Sequence, residues 1–361
     1  MGFAKPLHIS VEDLAAGRVD RLLGDYDPDD RDVVTIVSLD QPVDDATWTR
    51  AAVRASSTDR ILVGTANLLP SPDPASDGLL EALATTFAVG GAERRSAVFV
   101  DDADAHALGL AEAVAQHPQS SAVFLDTLRA TASLAVPEAL TVESLAYSTL
   151  LGGREFEAWL GDRTPSSPPH VTEPVRLRRD GDTLRITLNR PERRNAYGAQ
   201  LRNEFVGALT VAEADPGIEL VVVDGAGPSF CAGGDLAEFG LASDLGEAHL
   251  IRTRGGAGRL VGSLRERIRF EVHGPCVGAG VEIPALAGHT TADPSTTFLL
   301  PEISMGLIPG AGGTVSLPRR IGRWRAFALC VTGRRIDAEA ALAWGLVDEL
   351  RETGGAAAEA G

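Results

Sequence analysis

GPSFCAGGDLAEF (residues 227–239) and HGPCVGAGVEIPA (residues 273–285) decide how this chain is read. Each stretch passes from an apolar run toward a helix pattern through small residues. These are Ala232-Gly233-Gly234 in the first and Gly278-Ala279-Gly280 in the second. Backbone N–H groups at a helix start have no intrahelical partner and can face an anion. Small residues there let a ligand come close to the main chain. One such turn is common in α/β proteins and says little. Two aimed at one oxygen form an oxyanion hole, whose preorganised donors stabilise developing charge by about several kcal/mol.

Outward from these turns the pattern alternates strand and helix. VRLRRDGDTLRITLNRP places Asp180-Gly181-Asp182 between two alternating runs, which predicts a hairpin. NAYGAQLRNEFVGALTVAEA predicts a helix with Asn195 as its N-cap. Strands follow at 218–225, 270–274 and in TTFLLPE, with helices through residue 267 and a short helix at GAGVEIPALAG. Repeated strand-turn-helix units imply a sheet with helical crossovers.

DRTPSSPPHVTEP (162–174) reads as an extended linker, which sets domains at 1–161 and 175–351 and a frayed Gly/Ala tail at 352–361. In the first part VVTIVSL (33–39), ILVG (61–64) and SAVFV (96–100) read as buried strands, with helical patterns around 45–55 and 78–88. After residue 100 the period is helical through FEAWL, at 156–160. The fold class is thus α/β, and this N-terminal part carries no nameable chemical motif.

Composition narrows the function. The 361 residues hold 33 Lys+Arg against 50 Asp+Glu, a net charge of −17, and residues 1–170 alone contribute −14. That balance disfavours a nucleic-acid partner, which needs a basic face. No apolar run is long enough to span a bilayer and the N-terminus lacks a signal-peptide core, so a cytoplasmic protein with no membrane partner is expected. Cys231, Cys276 and Cys330 show neither a disulfide framework nor metal-ligand spacing, so no metal is expected. Gly310-Ala311-Gly312-Gly313-Thr314 is no dinucleotide fingerprint and is expected to shape the backbone near Glu302.

LNRPERRNA, SFCAGGDLAEF, HGPCVGAGVE, FLLPEISMGLIPGAGGT and VTGRRIDAEAALAWGLVDE occur in that order. Together they make residues 175–350 resemble the crotonase (enoyl-CoA hydratase/isomerase) superfamily. The resemblance implies a spiral of ββα turns and chemistry through a thioester enolate. It also implies an acyl-CoA as substrate with no prosthetic group, and a homo-oligomer, trimer or hexamer. Carried over by position, the oxyanion donors are the N–H groups of Gly234 and Ala279, the second with alanine where the family usually has glycine. Glu282 and Glu302 match the paired glutamates of the family's hydratases. Two carboxyls around one water cannot both ionise cheaply, so one serves as base and the other as acid. The pattern leads to hydration of a 2-enoyl-CoA. An isomerase, a cofactor-free arylacetyl-CoA dioxygenase and a non-catalytic CoA-ester-binding subunit stay open beside it.

Coenzyme contacts are expected at Arg193, Arg194, Ala196, Ala232, Gly233, Asp235 and Leu236, with Asp235 itself read most simply as a helix cap. The acyl pocket is expected to draw on Phe239 and Leu241. His273 reads as a satisfied structural histidine and Cys231 and Cys276 as apolar fillers. The family's helices beyond GLVDE have no counterpart, and residues 1–165 have none in its short members. Helices within 102–160 are therefore expected to stand in for the missing ones.

Overall fold

Val34–Ser38 and Ile61–Leu68 are buried along nearly their whole length, as strands covered on both faces must be. They lie in a five-stranded, all-parallel sheet of β1 (Leu7–Ser10), β2 (Val34–Ser38), β3 (Ile61–Leu68), β4 (Thr85–Gly90) and β5 (Val98–Phe99), in that order. The computed structural model describes residues 6–20, 34–161 and 163–351. Val33, Asp162 and the tail 352–361, all named above, lie outside them. Between the strands run α1 (Val11–Ala15), α2 (Asp45–Ser57) and α3 (Pro74–Ala82), and α4 (Ala103–Gln116) and α5 (Pro118–Ala130) follow β5. Asp44, Asp73 and Asp102 cap α2, α3 and α4 by accepting first-turn N–H groups. The helix pattern read over 78–88 is in fact the end of α3 followed by β4. TTFAVG is an apolar run without period, and its β-branched and aromatic residues favour the strand.

The chain divides into two compact units, 1–129 with 321–333 and 130–320 with 334–361. This differs from the division expected at the Pro-rich stretch. Prolines at 165, 168, 169 and 174 interrupt regular structure, whereas the unit is defined by which faces pack. Helices α6 (Val136–Leu151) and α7 (Arg154–Leu160) belong to the second unit, and helix Arg323–Thr332 belongs to the first.

In the second unit β6 (Val175–Asp180) and β7 (Thr183–Leu188) form the expected antiparallel hairpin. Leu184, Ile186 and Leu188 alternate inward along β7. The sheet continues in parallel through β8 (Leu220–Gly225), β9 (Ile268–Val272), β11 (His289–Ala292) and β14 (Glu349–Leu350). A smaller sheet holds β10 (Pro275–Val277), β12 (Thr297–Leu299) and β13 (Ile336–Asp337). The chain thus runs from large sheet to small sheet to helix twice in succession, β9-β10 then β11-β12, which is the expected ββα spiral. The helices are α8 (Ala199–Ala214), α9 (Leu245–Gly255), α10 (Gly258–Ser263), α11 (Ala279–Glu282), α12 (Gly313–Ile321) and Ala338–Trp344. Residues 235–244 hold turns rather than the helix start expected there.

Candidate active site

The two glycine-bearing turns lie side by side. Phe230 N–H donates to His273 O at 2.9 Å and Val277 N–H to Cys231 O at 3.1 Å. Gly233 sits at φ +89°, where a β-carbon would press to 3.0 Å from Val277 O. Gly278 sits at φ +47°, where a β-carbon would strike Glu302 Oε1. Only glycine is comfortable at either position. The next residue in each case is the expected donor, Gly234 or Ala279. Ala279 opens α11, so its amide has no intrahelical acceptor. Neither amide donates to another described residue, and both residues line a cavity of about 260 Å³. The alanine methyl leaves the amide in place.

Glu282, at the end of α11, is 2% exposed, and its Oε2 accepts the N–H groups of Ala311 at 2.7 Å and Gly313 at 2.9 Å. The 310–314 stretch, expected to shape the backbone near Glu302, thus grips Glu282 instead, because successive turn amides form a concave donor set for a carboxylate. Glu302 begins a short 3-10 turn, Glu302–Met305. Its residue surface is only partly covered, yet Oε2 is buried and without a hydrogen-bond partner. Both carboxyls line the cavity. Burial pushes each above the ordinary carboxyl range, and the charge of Glu282 raises Glu302 further. Two N–H donors favour the ionised form of Glu282, while Oε2 of Glu302 has none, so of the two Glu302 holds a proton more readily.

A third carboxyl enters from the N-terminal side. Glu143 on α6 is 2% exposed and lines the same cavity. Its Oε1 accepts Gly312 N–H at 2.8 Å, and its Oε2 accepts Thr314 N–H at 2.9 Å and Thr314 Oγ1 at 2.8 Å. Sequence reading did not find Glu143. The available signal was position: Leu140, Glu143, Ser144, Tyr147 and Leu151 recur at helical spacing and all line the cavity, and a glutamate on an inward stripe is rarely idle. Tyr147 carries the Arg252 guanidinium over its ring at 4.7 Å, and Arg252 Nε donates to Ser144 Oγ at 3.1 Å. Phe239 lines the cavity as expected, and Trp159 of α7 meets it edge-on at 5.9 Å. Leu241 is 47% exposed and stands outside the wall.

Asp235 is not a helix cap. It is 2% exposed, and its carboxylate accepts Arg193 Nη2 at 2.6 Å, Arg193 Nε at 3.1 Å and Arg190 Nη1 at 3.4 Å. A buried carboxylate needs such partners. Arg193 is thereby committed to Asp235, while Arg194, at φ +51°, is exposed with its carbonyl accepting Ala232 N–H. Among the expected coenzyme contacts Asp235 lines the cavity. Arg193, Arg194, Ala196, Ala232, Gly233 and Leu236 do not line it. Asn195 is not the N-cap of α8; Gly198 is. With φ +54°, Asn195 instead accepts Arg190 N–H and donates to the carbonyls of Ala226, Ser229 and Phe230, bracing the first turn from beneath. His273 Nε2 lies 2.9 Å from Gly227 O, and all three cysteines are buried.

The enoyl-CoA hydratase/isomerase family profile matches residues 179–353. A Mycobacterium tuberculosis protein named as a probable enoyl-CoA hydratase is 37% identical over 175 residues, 48% of this chain and 68% of its own length. The 1,2-epoxyphenylacetyl-CoA isomerase of Escherichia coli is 34% identical over 169 residues, 45% of this chain and 64% of its own. Among solved structures, an enoyl-CoA hydratase from Bacillus anthracis shares 32% identity, covering 50% of this chain and 70% of that one, with a TM-score of 0.46. With its ββα core and these relatives, the chain belongs to the enoyl-CoA hydratase/isomerase family.

Proposed function

We propose that this protein adds water across the α,β double bond of a 2-enoyl-CoA, and catalyses the reverse elimination. One observation carries the reading: the free amides of Gly234 and Ala279 share a cavity with a hydrogen-bonded Glu282 and an unpartnered Glu302. The thioester oxygen accepts both amides. Glu282 takes a proton from water as the water oxygen bonds to the β-carbon. The π electrons move onto the thioester as an enolate, held by the two N–H groups. Glu302 gives its proton to the α-carbon and the enolate collapses. Glu282 ends protonated and Glu302 ionised, and exchange with solvent resets the pair.

Coenzyme binding falls to the open side of this cavity. Arg194, exposed and with no side-chain hydrogen bond among the described residues, is the candidate phosphate contact. Arg193 is no longer one, since its guanidinium serves Asp235.

The reading is tested by following the enoyl thioester absorbance of crotonyl-CoA and cinnamoyl-CoA. Glu282→Gln and Glu302→Gln should each lower kcat by roughly 10²–10⁴-fold while leaving the fold intact. An intact wild type that consumes neither enoyl-CoA, but moves a double bond in a 3-enoyl-CoA, would replace hydration with isomerisation.

A further inference from the structure

The turn at residues 311–314 presents four successive amides, and they alternate between two carboxyl groups. Ala311 and Gly313 donate to Glu282, while Gly312 and Thr314 donate to Glu143. Glu282 reaches the turn from α11 and Glu143 from α6, so the four amides are pinned from both sides. Moving Gly312 or Thr314 moves Ala311 and Gly313 with them, because consecutive rigid peptide planes are hinged at common α-carbons. We propose that Glu143 is a positioning residue for the reaction: it aims the amides that hold the Glu282 carboxyl. This inference rests on the reading of Glu282 as the base.

The geometry gives Glu143 little else to do. Both of its oxygens are occupied by donors from one turn, and it is 2% exposed. Other charged or titratable groups face the same cavity: Glu282 from α11, Glu302 from the following 3-10 turn, Tyr147 from α6 itself, Arg252 from α9, Arg202 from α8, Arg259 from α10, and Tyr197, Asp235 and Glu238 from the loops. The Glu282 charge disfavours ionisation of Glu143, after burial the next cause of its raised affinity for protons. What Glu143 supplies to Glu282 is the aim of the Ala311 and Gly313 amides, whose hydrogen bonds favour the ionised Glu282 carboxylate.

The experiment follows the Glu282 carboxyl itself, by pH-difference infrared spectroscopy of the full chain. Its band is identified by its disappearance in Glu282→Gln. In Glu143→Gln the midpoint of that band should rise by about half a pH unit or more, because the amides that favour the ionised carboxylate are held less firmly. Thr314→Val removes one of the donors that tie Glu143 to the turn and should move the midpoint the same way by less. It decides the matter if Glu143→Gln does not fold. An unchanged or lowered midpoint in a folded variant overturns the proposal. Because the readout needs no turnover, a wild type that fails to hydrate enoyl-CoA overturns the proposed reaction and leaves this coupling standing. In an active enzyme the acid limb of kcat/KM should shift with the band in Glu143→Gln, and kcat should fall more than KM rises. A purely structural residue would move neither limb.

Discussion

Ala279 occupies the first position of α11, where the amide has no helical partner and proline is tolerated. Ala279→Pro deletes one N–H from the cavity with little demand on the helix. Glycine precedes it at φ +47°, so the usual restriction on the residue before proline, a side-chain clash, is relaxed. We expect kcat to fall by roughly 10²–10³-fold, the usual effect of losing one oxyanion donor, with the thermal midpoint within a few degrees of wild type. Steady-state kinetics beside a melting curve checks it, and an unchanged kcat would remove Ala279 from the chemistry. At this scale the paired glutamates and the two turns were legible, because each sits in a short motif whose small residues advertise close approach. Glu143 was not, since it lies 169 residues from Gly312 and nothing local marks it. Asp235 was misread for a related reason. Next to glycines it resembles a cap, and only the return of Arg190 and Arg193 from the preceding loop shows what its charge is for.

At the scale of elements, α6 and α7 matter most. They come from the part of the chain with no nameable motif, yet α6 lines the cavity and α7 packs behind Phe239 of its wall. Phe156 of α7 is 4% exposed and stacks on Trp159 at 5.8 Å, and Trp159 meets Phe239 at the cavity. The main chain at Glu155–Phe156 packs against Gly306, just after the turn that carries Glu302, so closely that a β-carbon there would collide with it. Phe156→Ala should cost about 3–5 kcal/mol of stability through the cavity it leaves. Denaturant unfolding measures this, and a cost under about 1 kcal/mol would mean that α7 is not packed as described. Of the helices from 102–160, α6 lines the cavity and α7 meets it through Trp159 against Phe239. Helices α4 and most of α5 pack within the other unit. Periodicity located the helices but could not say which unit each would join, because long-range packing decides that. Strand β4 was missed because a fully buried strand has no alternation to read.

For the whole molecule, the stretch that carries the family motifs is not one packing unit. Helix Arg323–Thr332 packs with the N-terminal sheet, while α6 and α7 are taken into the catalytic spiral. The acidic excess is concentrated in residues 1–170, and part of it is spent on helix caps at Asp44, Asp73 and Asp102. No described helix is long and apolar enough to cross a membrane. In the proposed reaction the main-chain amides and carboxyls of one cavity serve a single thioester. A crystal structure of the full chain with butyryl-CoA, which has no double bond to hydrate, measures this directly. The account predicts the thioester oxygen about 2.7–3.1 Å from the nitrogens of both Gly234 and Ala279, with the α- and β-carbons between Glu282 and Glu302. A thioester bound elsewhere, or one that leaves either amide unused, would contradict it.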